Sequence, residues 1–116
     1  MSNRAAFFEL IARINAVENQ HHEVMPDINA QLLLMRVAMA HHGGSSLNVT
    51  QAMNLAHIGS PAMLHRKIND LLSQGLIELT FEGNNRRTKF LVPTDQAYDI
   101  IDEMADAAAA VYDTVN

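Results

Sequence analysis

A mainly α-helical fold with one small β-hairpin is predicted by three observations in this chain of 116 residues. Long stretches near both ends and in the middle repeat apolar residues at three- and four-residue spacing, as helices with one covered face do. Between Ile77 and Val92 the period changes to alternation around a Gly-Asn-Asn turn, the pattern of two paired strands. Residues that cap or stop helices stand at the ends of these stretches, above all Ser60-Pro61 and Gly75.

From about Asn3 to Asn19, Ala6, Phe7, Leu10, Ile11, Ile14 and Val17 share a face, which predicts a strongly amphipathic first helix. Pro26 and Asp27 punctuate the chain. From Ile28 to His42 the residues Leu32, Leu33, Leu34, Met35, Val37, Ala38 and Met39 leave Arg36 as the only Lys, Arg, Asp or Glu, so this helix is apolar nearly all round and is expected to be the central buried one. Gly43-Gly44-Ser45-Ser46 reads as a break, Leu47-Asn48-Val49 as a short strand, and Thr50 as the cap of a short helix running to about His57. Ile58-Gly59 then supplies a tight turn between two helices.

The segment Ser60 to Thr94 is the most specific. Ser60 is a good N-cap, Pro61 suits the first helical position where its missing N–H costs nothing, and Gly75 can take the left-handed conformation that closes a helix. Leu64, Ile68, Leu71 and Leu72 form an inward stripe, leaving Ala62, His65, Arg66, Asn69 and Ser73 on the other side. Ile77, Leu79 and Phe81 then alternate with Glu78, Thr80 and Glu82. Gly83-Asn84-Asn85 turns, and Arg86 to Val92 returns as a second strand that Pro93 ends, with Arg86, Arg87 and Lys89 at or beside the tip. A helix followed by a basic hairpin is what a winged helix-turn-helix presents to DNA. The last helix, Asp95 to Val115, places Ala97, Ile101, Met104, Ala108, Val111 and Val115 at helical spacing.

Length bounds the chain to one domain, residues 1–116, divided into an N-terminal dimerisation helix (3–25), a winged helix-turn-helix (27–94) and a C-terminal dimerisation helix (95–116). Two long amphipathic helices at the ends offer more apolar face than a core of about 60 residues can cover, which predicts a homodimer. The absence of cysteine excludes disulfide and thiolate chemistry. No apolar run approaches the roughly 18 residues that span a bilayer, and the N-terminus lacks the pattern of a secretory signal, so no membrane and a cytoplasmic location are expected.

The formal net charge of −5 looks unsuited to DNA, but its distribution is uneven. Residues 60 to 94 carry five cations against Asp70, Glu78 and Glu82, a balance of +2. Residues 95 to 116 carry six acids and no Lys or Arg. Because exposed charges more than about 10 Å apart are largely screened, a local basic surface can hold phosphate on an acidic protein.

Over Ser60 to Thr94 the chain resembles the MarR family of winged helix-turn-helix regulators. The matching positions are Ser60, Met63, Leu64, His65, Arg66, Ile68, Leu71 and Gly75, then Asn85-Arg86-Arg87 and Thr94 at the wing. Asn85 stands where the family usually has an aspartate paired with a wing arginine, and Pro93 and Ala97 depart from the usual ending. The resemblance implies a regulator that binds a pseudo-palindromic operator as a dimer, with the 61–74 helix in the major groove and the 83–89 wing in the minor groove. Arg66, with His65 and Asn69, would reach base edges, since Arg pairs bidentately with guanine and Asn with adenine. Ala62 and Met63 would lie on the same contact surface. Ser60, Thr50 or Gln51 would hold phosphate, while Arg86 or Arg87, with Lys89 beside them, would enter a narrow minor groove.

Other classes fit less well. The pairs His21-His22 and His41-His42 cannot chelate together, because neighbours on a helix point about 100° apart, so no metal and no cofactor is expected. Nothing resembles a phosphate loop, a nucleophile elbow or a catalytic carboxylate pair, so an enzyme is not expected. The alternative is a winged-helix protein–protein interaction module without direct DNA binding, to which an acidic chain is suited. A small-molecule effector at the junction of the first, second and last helices is a further possibility that the residues do not identify.

Overall fold

The computed structural model describes the backbone of residues 1–115 and side chains as far as residue 113. The element order is α1 (Asn3–Gln20), α2 (Ile28–His42), α3 (Val49–Met53), α4 (Pro61–Ser73), β1 (Ile77–Glu82), β2 (Asn85–Pro93) and α5 (Asp95–Val115). The chain forms two compact units, one from Pro26 to Ala97 and one comprising Met1–Met25 with the chain from Tyr98 onward.

The Pro26–Ala97 unit holds the winged helix. Leu33 and Val37 of α2, Ala52 of α3, Leu64, Ile68 and Leu71 of α4, and Leu76, Ile77 and Leu91 around the hairpin base are all essentially inaccessible to solvent. Each of the Leu, Ile and Val side chains among them contributes roughly 1.5–3 kcal/mol of transfer free energy. The expected stripe on α4 is therefore the face that meets the core, with Leu72 at its edge.

Local signals set the ends of α4 as expected. Ser60 Oγ accepts the Met63 N–H at 3.2 Å. At the other end Gly75, at φ 72°, lets Leu76 N–H reach the Leu71 carbonyl at 3.0 Å and Gly75 N–H reach that of Leu72 at 3.2 Å. These paired bonds satisfy carbonyls that the last turn would otherwise leave open. Thr94 ties this point to α5: its Oγ1 donates to the Gly75 carbonyl at 2.6 Å and accepts the Ala97 N–H at 3.2 Å.

Several expectations change. Helix α1 buries no residue, and Phe7, Phe8 and Ile11 are 57%, 62% and 41% exposed, so its apolar side chains spread around the axis instead of forming one covered face. Helix α2 buries only Ala30, Leu33, Leu34 and Val37; Ile28, Leu32 and Met39 remain exposed, because one side of the helix suffices to close the core. The predicted strand at Leu47–Val49 reduces to a single antiparallel bridge, Asn48 with Phe90, supported by Leu91 N–H on the Leu47 carbonyl at 2.8 Å. Asn48, not Thr50, caps α3: its side chain accepts the Gln51 N–H at 2.8 Å while Gln51 Oε1 accepts the Asn48 N–H at 2.9 Å. That reciprocal pair satisfies two donors at once and starts the helix at Val49, one residue before Thr50. Helix α3 ends at Met53, short of His57.

Strand alternation in β1 does not carry Leu79 and Phe81 into the core; both are more than a third exposed, since a two-stranded ribbon is covered only at its base. Along α5, Ile100 is buried and Ala108 exposed, the reverse of what the chosen stripe implies, whereas Ala97 and Val111 are buried as expected. The Val115 side chain lies outside the described residues. In the same unit His21 Nε2 contacts the Glu103 carboxylate.

Candidate nucleic-acid interface

The outward face of α4 carries Ala62, His65, Arg66 and Asn69, all exposed. Spacings of three and four residues put them one above another along the helix. No hydrogen bond or ion pair engages the Arg66 side chain among the described residues. Ser60 stands at the N-terminus of this helix; its oxygen is occupied by Met63 N–H, which leaves its O–H free to donate outward. Met63 is only half exposed. Its sulfur accepts from Asn29 Nδ2 at 3.6 Å, and its methyl group occupies the space that a Cβ on Gly59 would need, so the glycine lets the turn pass close against this side chain.

Lys67 is removed from the cation set that the sequence suggests. Its ammonium donates to Asp27 Oδ2 at 2.5 Å and lies 4.0 Å from Asp70 Oδ2. Asp27 also caps α2, with Oδ1 accepting the Ala30 N–H at 2.9 Å. The Lys67 hydrogen bond, followed by that from Ala30, holds the Asp27 carboxyl below its ordinary value of 3.8.

The wing is built on a register slip. Thr80 pairs with Phe90, but Glu82 pairs with Asn85, so the single residue Phe81 stands opposite the four residues Arg86 to Lys89. An enlarged bulge of this kind leaves backbone donors without ladder partners and re-aims side chains. Asn85 meets the first need: its Oδ1 accepts the N–H of Arg87 at 3.0 Å and of Thr88 at 3.2 Å. The amide thus holds the wing's backbone at this point. Arg86 lies over the Phe81 ring, 5.5 Å from its centroid, which leaves Arg87 and Lys89 as the wing cations without a described partner.

The bulge faces the start of α3 across an open groove of about 490 Å³, lined by Asn48, Thr50, Phe81, Arg86, Arg87 and Lys89 among others. Thr50 and the three wing cations, distant in sequence, therefore share one basic surface. Gln51 does not line that groove, and its side-chain oxygen is engaged in the cap. The α4 residues lie outside it as well. Sequence reasoning missed two contributors. Asn48 was signalled by the Asn-x-x-Gln spacing of a capping box. Phe81 was not signalled as the platform for Arg86, because that contact depends on the register slip.

Among the described residues no three metal-binding side chains cluster, and no helix is long and apolar enough to cross a membrane. No protein-family model and no curated protein matches the chain. Solved structures do. RV1404 from Mycobacterium tuberculosis superposes with a TM-score of 0.64 at 18% identity, covering 91% of this chain and 68% of that one. The transcriptional regulator Tm0710 from Thermotoga maritima gives 0.63 at 13% identity, over 97% and 73%. Staphylococcus aureus MarR, solved in complex with salicylate and kanamycin, gives 0.59 at 14% identity, over 88% and 63%. The hairpin after α4, the long flanking helices and these superpositions agree that the chain has the winged-helix fold of MarR-type transcriptional regulators.

Proposed function

We propose that this protein is a sequence-specific double-stranded DNA-binding transcriptional regulator that acts as a homodimer on a pseudo-palindromic operator. The observation that carries the reading is the pairing, within the Pro26–Ala97 unit, of an exposed polar α4 face with a bulged wing that gathers Arg86, Arg87 and Lys89 beside Thr50. Helix α4 enters the major groove, where Arg66 reads guanine and Asn69 adenine, with His65, Ala62 and Met63 bordering them. Ser60, Thr50 and Gln51 bind phosphates and set the register. Arg87 enters the minor groove, where a narrow width concentrates negative potential, while Arg86 is steadied on Phe81. Lys89 contributes charge from the groove wall.

The dimer reading rests on the unit formed by α1 and the distal part of α5. Phe7 and Phe8 are more than half exposed, and an open apolar groove of about 450 Å³ is lined by Ala6, Phe7, Leu10, Ala108 and Val111 among others. Apolar exposure of this kind marks interaction surfaces. A small-molecule effector, cytoplasmic location and the absence of enzymatic activity fit a regulator of this fold. The S. aureus neighbour was solved with salicylate and kanamycin.

The test is retention on duplex DNA of mixed sequence as salt rises. Three wing cations per protomer correspond to about six phosphate contacts per dimer and a slope of log K against log salt near −5. Absence of binding at low salt overturns the reading and favours the protein–protein interaction module.

A further inference from the structure

The Lys67–Asp27 contact joins α4, immediately after Arg66, to the N-cap of α2 in the same unit. It is not a core ion pair: the Lys67 side chain is 19% exposed and the Asp27 side chain 52%. Lys67 is flanked by exposed Arg66 on one side and exposed Asp70 on the other. A lysine in this position, on the helix that reads DNA, would ordinarily add a phosphate contact and with it sequence-independent affinity. Here a carboxylate occupies it.

We propose that Asp27 sets the sequence-independent affinity for DNA: it holds the Lys67 ammonium away from phosphate and so lowers the part of binding common to every duplex. The inference rests on the DNA-binding reading above. Asp27 is suited to the role because its two oxygens divide the work. Oδ1 takes the Ala30 N–H and Oδ2 takes Lys67, so the cap that forms α2 also fixes the carboxylate that neutralises the cation. The charge is present throughout the neutral range, and the Lys67 and Ala30 hydrogen bonds favour it further by holding the carboxyl below its ordinary 3.8. Asp70 adds a weaker hold at 4.0 Å. The result is a helix on which Arg66 stands as the cation directed at base edges while its neighbour contributes little to binding every sequence. Because that term is common to every sequence, holding Lys67 back lowers affinity for all duplexes and leaves the difference between sites unchanged.

The experiment measures binding of the full chain to duplex DNA of mixed sequence between about 50 and 200 mM salt, with wild type, Asp27→Asn, Lys67→Gln and the double variant, each checked for folding by its thermal transition. Asparagine caps helices as well as aspartate does, so Asp27→Asn keeps the α2 cap and removes only the charge. One added phosphate contact steepens the slope by about 0.9 per protomer, or about 1.8 for the dimer, so across this fourfold salt range the loss of affinity grows about 12-fold further for Asp27→Asn than for wild type. Lys67→Gln leaves the wild-type slope unchanged, and the double variant returns to it. Two results overturn the proposal while leaving DNA binding standing: a folded Asp27→Asn with the wild-type slope, or a Lys67→Gln slope shallower by about 0.9 per protomer, which would place Lys67 on phosphate already. If neither wild type nor Asp27→Asn binds DNA at low salt, the DNA-binding reading fails and this inference with it.

Discussion

The side-chain oxygen of Asn85 accepts the backbone N–H of Arg87 at 3.0 Å, so the residue that opens the bulge also fixes the backbone of the arginine at its crest. The same oxygen takes Thr88 N–H, and one small amide thereby replaces ladder bonds lost where Phe81 faces four residues. Shape at the wing is thus held by a neutral group beside two arginines. Asn85→Ala removes the acceptor and is expected to weaken binding to all duplexes by several-fold, while global stability falls by no more than about 1 kcal/mol because the site is exposed. Asn85→Asp keeps the acceptor but sets a carboxylate beside Arg86 and Arg87, so its salt dependence becomes shallower. Salt titrations of both variants by fluorescence anisotropy distinguish loss of shape from loss of charge.

Arg66 and Arg87 are expected to fail differently. Arg66→Ala costs about 1–3 kcal/mol on the best site and relaxes preference at one position of each half-site. Arg87→Ala weakens binding to mixed-sequence DNA as well as to the best site and reduces the salt slope by about 0.9 per protomer. Comparing each variant on the best site and on mixed-sequence DNA separates them. An Arg66→Ala variant that lost affinity equally for every sequence would place Arg66 on phosphate.

Much of this was legible because capping and termination are local. Ser60 reaches an N–H three residues on, and Gly75 ends α4 by its own backbone conformation, so composition over a few positions suffices. The α3 start was readable too, but Thr50 competes with Asn48 as a cap, and only the reciprocal Gln51 bond decides between them. The Lys67–Asp27 contact spans 40 residues and depends on how α4 meets α2, which no periodicity encodes. Arg86 over Phe81 depends on a register slip at the hairpin tip. Apolar pattern likewise reports which residues avoid water, not which are covered: Leu33 and Leu34 are buried, and Leu32 beside them is not.

Gly75→Ala is expected to destabilise the fold. At φ 72° an added Cβ meets the left-handed penalty of about 1–2 kcal/mol, and it would approach Gln96 Oε1 to 3.4 Å. The thermal midpoint should fall by a few degrees. Leu64→Ala, at a fully buried position of the same helix, costs more, about 2–5 kcal/mol. Urea unfolding of the two variants checks the order.

Asp27 gives the fold an acid-sensitive contribution. Its carboxyl is held below 3.8 in the folded chain, so the unfolded chain takes up a proton first as pH falls. The stabilisation is complete above the unfolded value and is lost as pH drops through the lower folded value. Asp27→Asn should therefore be less stable than wild type at pH 7, with the gap narrowing below about pH 3.8. Urea midpoints at pH 7 and pH 3 test the sign; the effect is small because the carboxylate is solvated.

Exposed aromatic residues on α1 yield a prediction about assembly. Phe7→Glu combined with Phe8→Glu is expected to shift the sedimenting species from dimer to monomer and to abolish binding to a two-half-site duplex while leaving weak binding to a single half-site.

The most direct measurement is selection of bound duplexes from a random pool with wild type and with Arg66→Ala. The account predicts a recovered pseudo-palindrome whose half-sites lie about one helical turn, roughly 10 bp, apart, with one guanine position relaxed in the Arg66→Ala selection. Recovery of no sequence above the input pool, or of an asymmetric motif that Arg66→Ala leaves unchanged, would contradict it.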